Sequence, residues 1–346
     1  MAESIRTAQW PLALMLAAAA CATFVAAAAG AHFTPVIQDH VERQIERQAA
    51  VNGMYLYNDG YVDDGDYVLL GQIPNADFSR GGVYFIGPSE MKLTLMPWRL
   101  SPEESALIHN YSIGDFRHSD VHQYVRMLVE EAGLLQAGAE RTTIFLGLST
   151  EMTREPSRRY IGALFERHGH YTFDRSGEMH IRAMSPAERA YRLGRNSANR
   201  FLSILFLAPN KVRTLREIEQ LPENQLRSGD WRPAMEMEVR ILGQTIDYLQ
   251  ARGVDVRAIY PPQASWRRDV DYSRPYFEMV SAVLAARSVP LIDQRDLLAD
   301  AEFGDAVHAR YNGQLKLHDA YLDLARDALD DMGMPMSTVQ LTNSTD

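Results

Sequence analysis

Apolar residues are spread unevenly along the 346-residue chain. From Trp10 to Phe33 they run without a single charge, and later they return in short blocks at Tyr67 to Leu70, Val83 to Ile86, Thr143 to Leu148, Val256 to Tyr260 and Val289 to Ile292. Compact apolar blocks of this length predict strands covered on both faces. Between them the period lengthens. Val121 to Ala132, Pro233 to Ala251 and Tyr276 to Ala286 place apolar residues every three or four positions, the pattern of amphipathic helices, and a last helix is expected from about Gly313. Strands and helices in alternation predict a doubly wound, three-layer α/β domain: a parallel sheet with helices on both faces.

The first apolar run is long enough to cross the roughly 30 Å hydrocarbon layer as one helix. Residues 1–34 are therefore expected to form an N-terminal transmembrane anchor. Two processing alternatives stay open: Ala29-Gly30-Ala31 suits a signal peptidase, and Cys21 suits lipidation. Arg6 before the run and Arg43 and Arg47 after it are too evenly balanced to orient the span. Residues 35–66 read as a stem, with a charge-alternating helix at His40 to Ala50 and a Gly/Asp-rich turn at Asn58 to Asp66. The domain is expected over 67–335, and 336–346 as a disordered tail. Glu155 to Arg232 is long for one crossover and is expected to form a helical insertion, about 155–232. Its Arg158, Arg159, Arg167, Arg182, Arg189, Arg192, Arg195 and Arg200 fit either an anion-binding face or solvated helix surfaces, and Phe201 to Ala208 fits core.

Charge narrows the function classes. A formal net charge of -10 opposes general nucleic-acid binding, which needs a basic face to neutralise phosphates. The single cysteine lies inside the first apolar run, so the folded part has neither a disulfide framework nor a cysteine metal site. His168 and His170 are too isolated from cysteines and further histidines to form a convincing metal site, and no Gly-rich phosphate loop is present, so no metal and no cofactor is expected.

One constellation does carry chemistry. Val83 to Ile86 runs straight into Gly87-Pro88-Ser89, which places Ser89 just past the carboxyl end of a buried strand, where open parallel sheets build their sites. Gly87 permits a tight turn, and a helix starting at Ser89 would offer free N–H groups to a developing oxyanion. Met91 stands where a G-x-S-x-G elbow has its second glycine, and a serine here also suits a helix N-cap. A nucleophilic serine needs a base and an acid to orient it, and Asp305-Ala306-Val307-His308 supplies both. A spacing of three places the two side chains on one face of a helical turn. Asp115 and His118 share that spacing, and position separates the two pairs. Asp305 follows the last expected strand and precedes the last helix, so it can reach the sheet edge where Ser89 emerges.

Strand-Gly-x-Ser near the start and Asp-x-x-His near the end resemble the SGNH, or GDSL-like, hydrolase superfamily over roughly Tyr67 to Met334. Asp293, Arg295-Asp296, Phe303, Asp305, His308, Asn312 and Gly313 look like its membrane-anchored envelope branch, which includes teichoic-acid D-alanyl-transfer proteins and alginate O-acetyltransferases. The resemblance implies Ser89 as nucleophile, His308 as base and Asp305 as its orienting acid. It places the oxyanion hole at Ser89, Gly114 and Ser149, with Ser149 where the family has asparagine and Pro88 where an aspartate commonly follows the glycine. An extracytoplasmic serine esterase or O-acyltransferase is implied, working through an acyl-enzyme on a glycan or glycopolymer of the cell envelope. The implied partners are the membrane and a membrane-bound acyl-exporting protein. The alternative is a catalytically silent module of the same fold that binds a polysaccharide or a membrane partner.

Overall fold

A computed structural model describes residues 11, 13–26, 69–92, 94–96, 99–154, 165, 169–175, 177–188 and 230–334. The stem, Phe201 to Ala208 and, of the eight insertion arginines named above, all but Arg182 lie outside these. Residues 13–26 are helical. Among the described residues no helix is long and apolar enough to cross a membrane, and the rest of the Trp10 to Phe33 run lies outside them.

Five parallel strands make the central sheet: β1 (Gly82–Ile86), β2 (Ile108–Asn110), β3 (Thr142–Gly147), β6 (Asp255–Tyr260) and β7 (Leu291–Asp293), in the order β2-β1-β3-β6-β7. Every residue of β1 and β3 is buried, as the unbroken apolar runs foretell. Alternation then sends side chains to opposite faces. Tyr84, Ile86, Ile144, Leu146, Val256 and Ala258 join one core, whereas Val83, Phe85, Phe145 and Ile259 join the other.

The first core is closed by α3 (His118–Glu130), α4 (Arg232–Gln250) and α6 (Ser273–Ala285). The second is closed by α7 (Tyr311–Asp331), whose Leu317, Tyr321, Ala325 and Ala328 lie on the face toward Val83 and Phe85. The four helices expected at Val121, Pro233, Tyr276 and about Gly313 each begin within three residues of that start. Helix α3 begins earlier than its apolar period because Glu238 on α4 accepts hydrogen bonds from the Ser119 backbone N–H and hydroxyl, at 2.7 and 2.9 Å. That contact is tertiary, and it adds to a local one in which Asp120 accepts the Arg117 backbone N–H at 3.0 Å.

Three expectations need correction. The Tyr67 to Leu70 block was expected as a strand, but residues 69–72 are helical and lead into a 3-10 turn at Ile73–Asn75. Four apolar residues are too few to separate a strand from a buried helical turn. Strand β2 went unforeseen, since only Ile108 of its three residues is fully buried. Helix α2 (Pro102–Ser105), held by a capping box between Ser101 and Glu104, delivers it to the sheet edge. The insertion was expected to be helical, yet its described part contains an antiparallel pair, β4 (Tyr171–Phe173) and β5 (Met179–Ile181). Arg182 there donates to the Gly169 carbonyl and pairs with Glu188, which ties it into local structure.

Candidate active site

The strand order fixes where the site lies. The chain leaves β1 for β2 on one side and then crosses to β3 on the other, so the carboxyl ends of β1 and β3 diverge at a switch point. Ser89 follows β1 and Ser149 follows β3, one on each lip of that crevice.

Ser89 opens α1 (Ser89–Lys92), a helix of one turn whose Met91 and Lys92 N–H groups bond to the Pro88 carbonyl at 3.0 and 3.3 Å. A helix does begin where the sequence places it, but one turn sums few peptide dipoles, so the expected macrodipole contribution is small. Met91 explains how the turn is built without a second glycine after the serine. Its fully buried thioether fills the space beside the bare Cα atoms of Gly87 and Gly147, where a Cβ on either would collide with the sulfur. The small residue that the elbow needs stands on the neighbouring strand instead.

His308 and Asp305 sit in the loop between β7 and α7. The sequence places them on a helical turn, whereas residues 304–307 form bends. The pair meets because Asp305 Oδ1 accepts the backbone N–H groups of Val307 and His308, at 2.9 and 2.7 Å, and so closes an Asx-type turn. Its other oxygen, Oδ2, is left to accept His308 Nδ1–H at 2.8 Å. A bridge between Phe303 and Ala309 closes the base of the loop, and the Trp266 indole donates to the Ala306 carbonyl at 3.0 Å. Thus anchored, His308 presents Nε2 to Ser89 Oγ at 2.9 Å across 219 positions of sequence.

Ionisation in this relay follows from its surroundings. Burial alone would lower His308, but the Asp305 carboxylate, its hydrogen bond and the charge of Glu90 outweigh burial and raise it above the ordinary 6.5. Burial would raise Asp305, but His308 and the two backbone N–H groups hold it below the usual 3.8. A carboxylate facing an imidazole fixes the tautomer with the proton on Nδ1, leaving Nε2 free to accept from the serine.

Glu90 was missed in the sequence. Its Oε2 lies 3.2 Å from Ser89 Oγ and its Oε1 accepts the Ser149 hydroxyl at 2.5 Å. Ser149 Oγ also caps the 3-10 turn Thr150–Thr153 by accepting the Glu151 N–H at 3.2 Å. The hydroxyl assigned to the oxyanion hole is thus already donated to Glu90. Gly114 lies in the loop after β2, and that loop is laced to the turn that carries Ser89 by the Ile113 N–H bond to the Gly87 carbonyl at 3.1 Å. No spacing rule marks a glutamate next to a serine, and only the fold shows what it touches.

A cleft opens beside Glu90 and Ser149, walled by Pro261, Pro262, Ala264 and Phe303, with Gln263 and Arg267 at its polar side. Arg267 is almost wholly buried and paired with Glu151. The other Asp-x-x-His pair does not assemble: His118 is buried against the Tyr276 hydroxyl at 2.9 Å, while Asp115 turns to Arg154. Ligand-type atoms of Asp174, Glu178 and His180 gather at the β4–β5 hairpin, but Glu178 pairs with Arg126 and His180 with Glu131.

No protein-family model matches this chain. No curated protein matches it either. Among solved structures the chain is similar to one described as a "putative acylhydrolase" from Bacteroides fragilis NCTC 9343, with 11% sequence identity and a TM-score of 0.39, covering 75% of this chain and 93% of that one.

Proposed function

We propose that the protein is a serine esterase or O-acyltransferase in which Ser89 is the nucleophile, His308 the general base and Asp305 the orienting acid. The supporting observation is the continuous relay from Asp305 Oδ2 through His308 to Ser89 Oγ, with links of 2.8 and 2.9 Å, at the switch point of a parallel sheet. In the reaction Ser89 Oγ attacks an ester carbonyl as its proton passes to His308 Nε2. Asp305 stabilises the imidazolium, and the tetrahedral intermediate collapses as His308 returns the proton to the departing alcohol. Water, or an acceptor hydroxyl where water is excluded, then resolves the acyl-enzyme by the same proton transfers in reverse order.

The apolar run from Trp10 to Phe33 supports a membrane anchor. In this reading, following the resemblance to the envelope branch, the catalytic domain lies on the extracytoplasmic side and the acyl group passes between a membrane-bound exporting protein and an envelope glycopolymer. A second reading, a silent binding module, draws on the engagement of the Ser149 hydroxyl by Glu90. A fluorophosphonate probe separates the two. Wild type is expected to be labelled, Ser89→Ala not at all, and His308→Ala only slowly. An unlabelled but folded wild type supports the binding module.

A further inference from the structure

The hydroxyl of Ser89 has one proton and two acceptors within reach: His308 Nε2 at 2.9 Å and Glu90 Oε2 at 3.2 Å. Both contacts cannot be served by that proton at once. When His308 is neutral, Nε2 must accept, and the serine proton points to it. When His308 is charged, Nε2–H donates to Ser89 Oγ, and the serine proton turns to Glu90. The other carboxylate oxygen of Glu90 is held by Ser149, which fixes its direction toward the nucleophile.

We propose that Glu90 is a positioning residue that holds the Ser89 hydroxyl away from its base whenever His308 is charged, so that it sets the protonation state at which the site becomes nucleophilic. This rests on the reading of Ser89 as nucleophile. Besides Asp305 from its own loop, Glu90 and Lys92, both on α1, are charged groups among the described residues that act on His308. Glu90 and Asp305 favour the imidazolium, and Lys92 opposes it. Replacing Glu90 by glutamine keeps the shape and the bond to Ser149 but removes the charge, and it puts an amide donor opposite Ser89 Oγ. The serine proton is then left for His308.

Two measurements on the full chain test this. In the first, the His308 ring is titrated by NMR in wild type and in Glu90→Gln, with His308→Gln assigning the resonance. The midpoint is expected to fall by about one pH unit, the size of effect a nearby carboxylate has on a partly buried imidazole. An unmoved midpoint overturns the proposal. In the second, the fluorophosphonate labelling rate is followed against pH, and its acid limb is expected to move down with the titration. A displaced titration with an unmoved labelling profile overturns the proposal, as does a folded Glu90→Gln protein that is unreactive at every pH, because Glu90 would then orient the nucleophile rather than restrain it. An unlabelled wild type removes the nucleophile reading and leaves the ring titration to decide the coupling of Glu90 to His308.

Discussion

Three side chains that meet across 219 positions divide their work by which atoms remain after local hydrogen bonds are satisfied. Asp305 shows this most clearly, since Oδ1 is consumed by the turn and only Oδ2 faces the imidazole. Replacing Asp305 by asparagine puts an amide where a carboxylate held the tautomer, so turnover is expected to drop by roughly 10⁴ while the fold persists. Steady-state ester hydrolysis alongside circular dichroism checks both halves of that statement. A second prediction concerns pH. In the proposed mechanism His308 must be neutral to accept the serine proton, and its folded value lies above 6.5, so kcat/KM is expected to climb as pH rises through that folded value. A profile already flat from pH 6 upward would show that Asp305 and Glu90 do not outweigh burial at His308.

Single elements carry the precision of the site through packing. The meeting of β1 and β3 at Met91 depends on two glycines, of which Gly147 has Met91 and Pro88 on the side where a Cβ would project. Gly147→Ala is therefore expected to cost about 1–3 kcal/mol by overpacking, read as a fall in the urea midpoint at unchanged slope. It should also slow fluorophosphonate labelling, because the displaced methionine lies two residues from Ser89. Helix α7 offers the opposite case. Tyr321 is fully buried beneath β1, its ring tilted against that of Phe85 with centroids 5.4 Å apart, and its hydroxyl has no hydrogen-bond partner among the described residues. Tyr321→Phe is expected to be neutral or to stabilise by up to about 1 kcal/mol, since an unpaired buried hydroxyl costs desolvation without return. A clear loss of stability on urea denaturation would mean that the hydroxyl is bonded in solution.

Over the whole molecule the site and the stability are linked through protons. His308 has a folded value raised above its unfolded one, so its pairing stabilises the protein fully below about 6.5 and is lost as pH rises through the folded value. Asp305 has a lowered folded value, so its contribution is present above about 3.8 and fades as pH falls through the folded value. His308→Ala should accordingly destabilise the chain more at about pH 5 than at about pH 9, and denaturant titration at the two values measures the difference. The proposed anchor belongs to this scale too. Full-length protein is expected to stay with membranes through alkaline carbonate extraction, and a form starting at Val51 is expected in the soluble fraction.

Readable along the chain are the parallel α/β class, four of the five strands of the main sheet, each long helix of the described domain, and three side chains that the structure brings together, Ser89, Asp305 and His308. These are legible because burial on two faces, helical period and strand-end placement each leave a local mark. Tertiary structure alone decided the rest. Strand β2 is too short to carry a period, and the hydrogen bonds from Ser119 at the start of α3 go to Glu238 on another helix. Met91 finds its glycine across the sheet at Gly147, and the Asp305–His308 contact comes from an Asx-type turn rather than a helix. Glu90 was invisible for the same reason. Its bonds to Ser89 and Ser149 exist only because β1 and β3, distant in sequence, end side by side, and a pattern read along one chain has no term for that proximity.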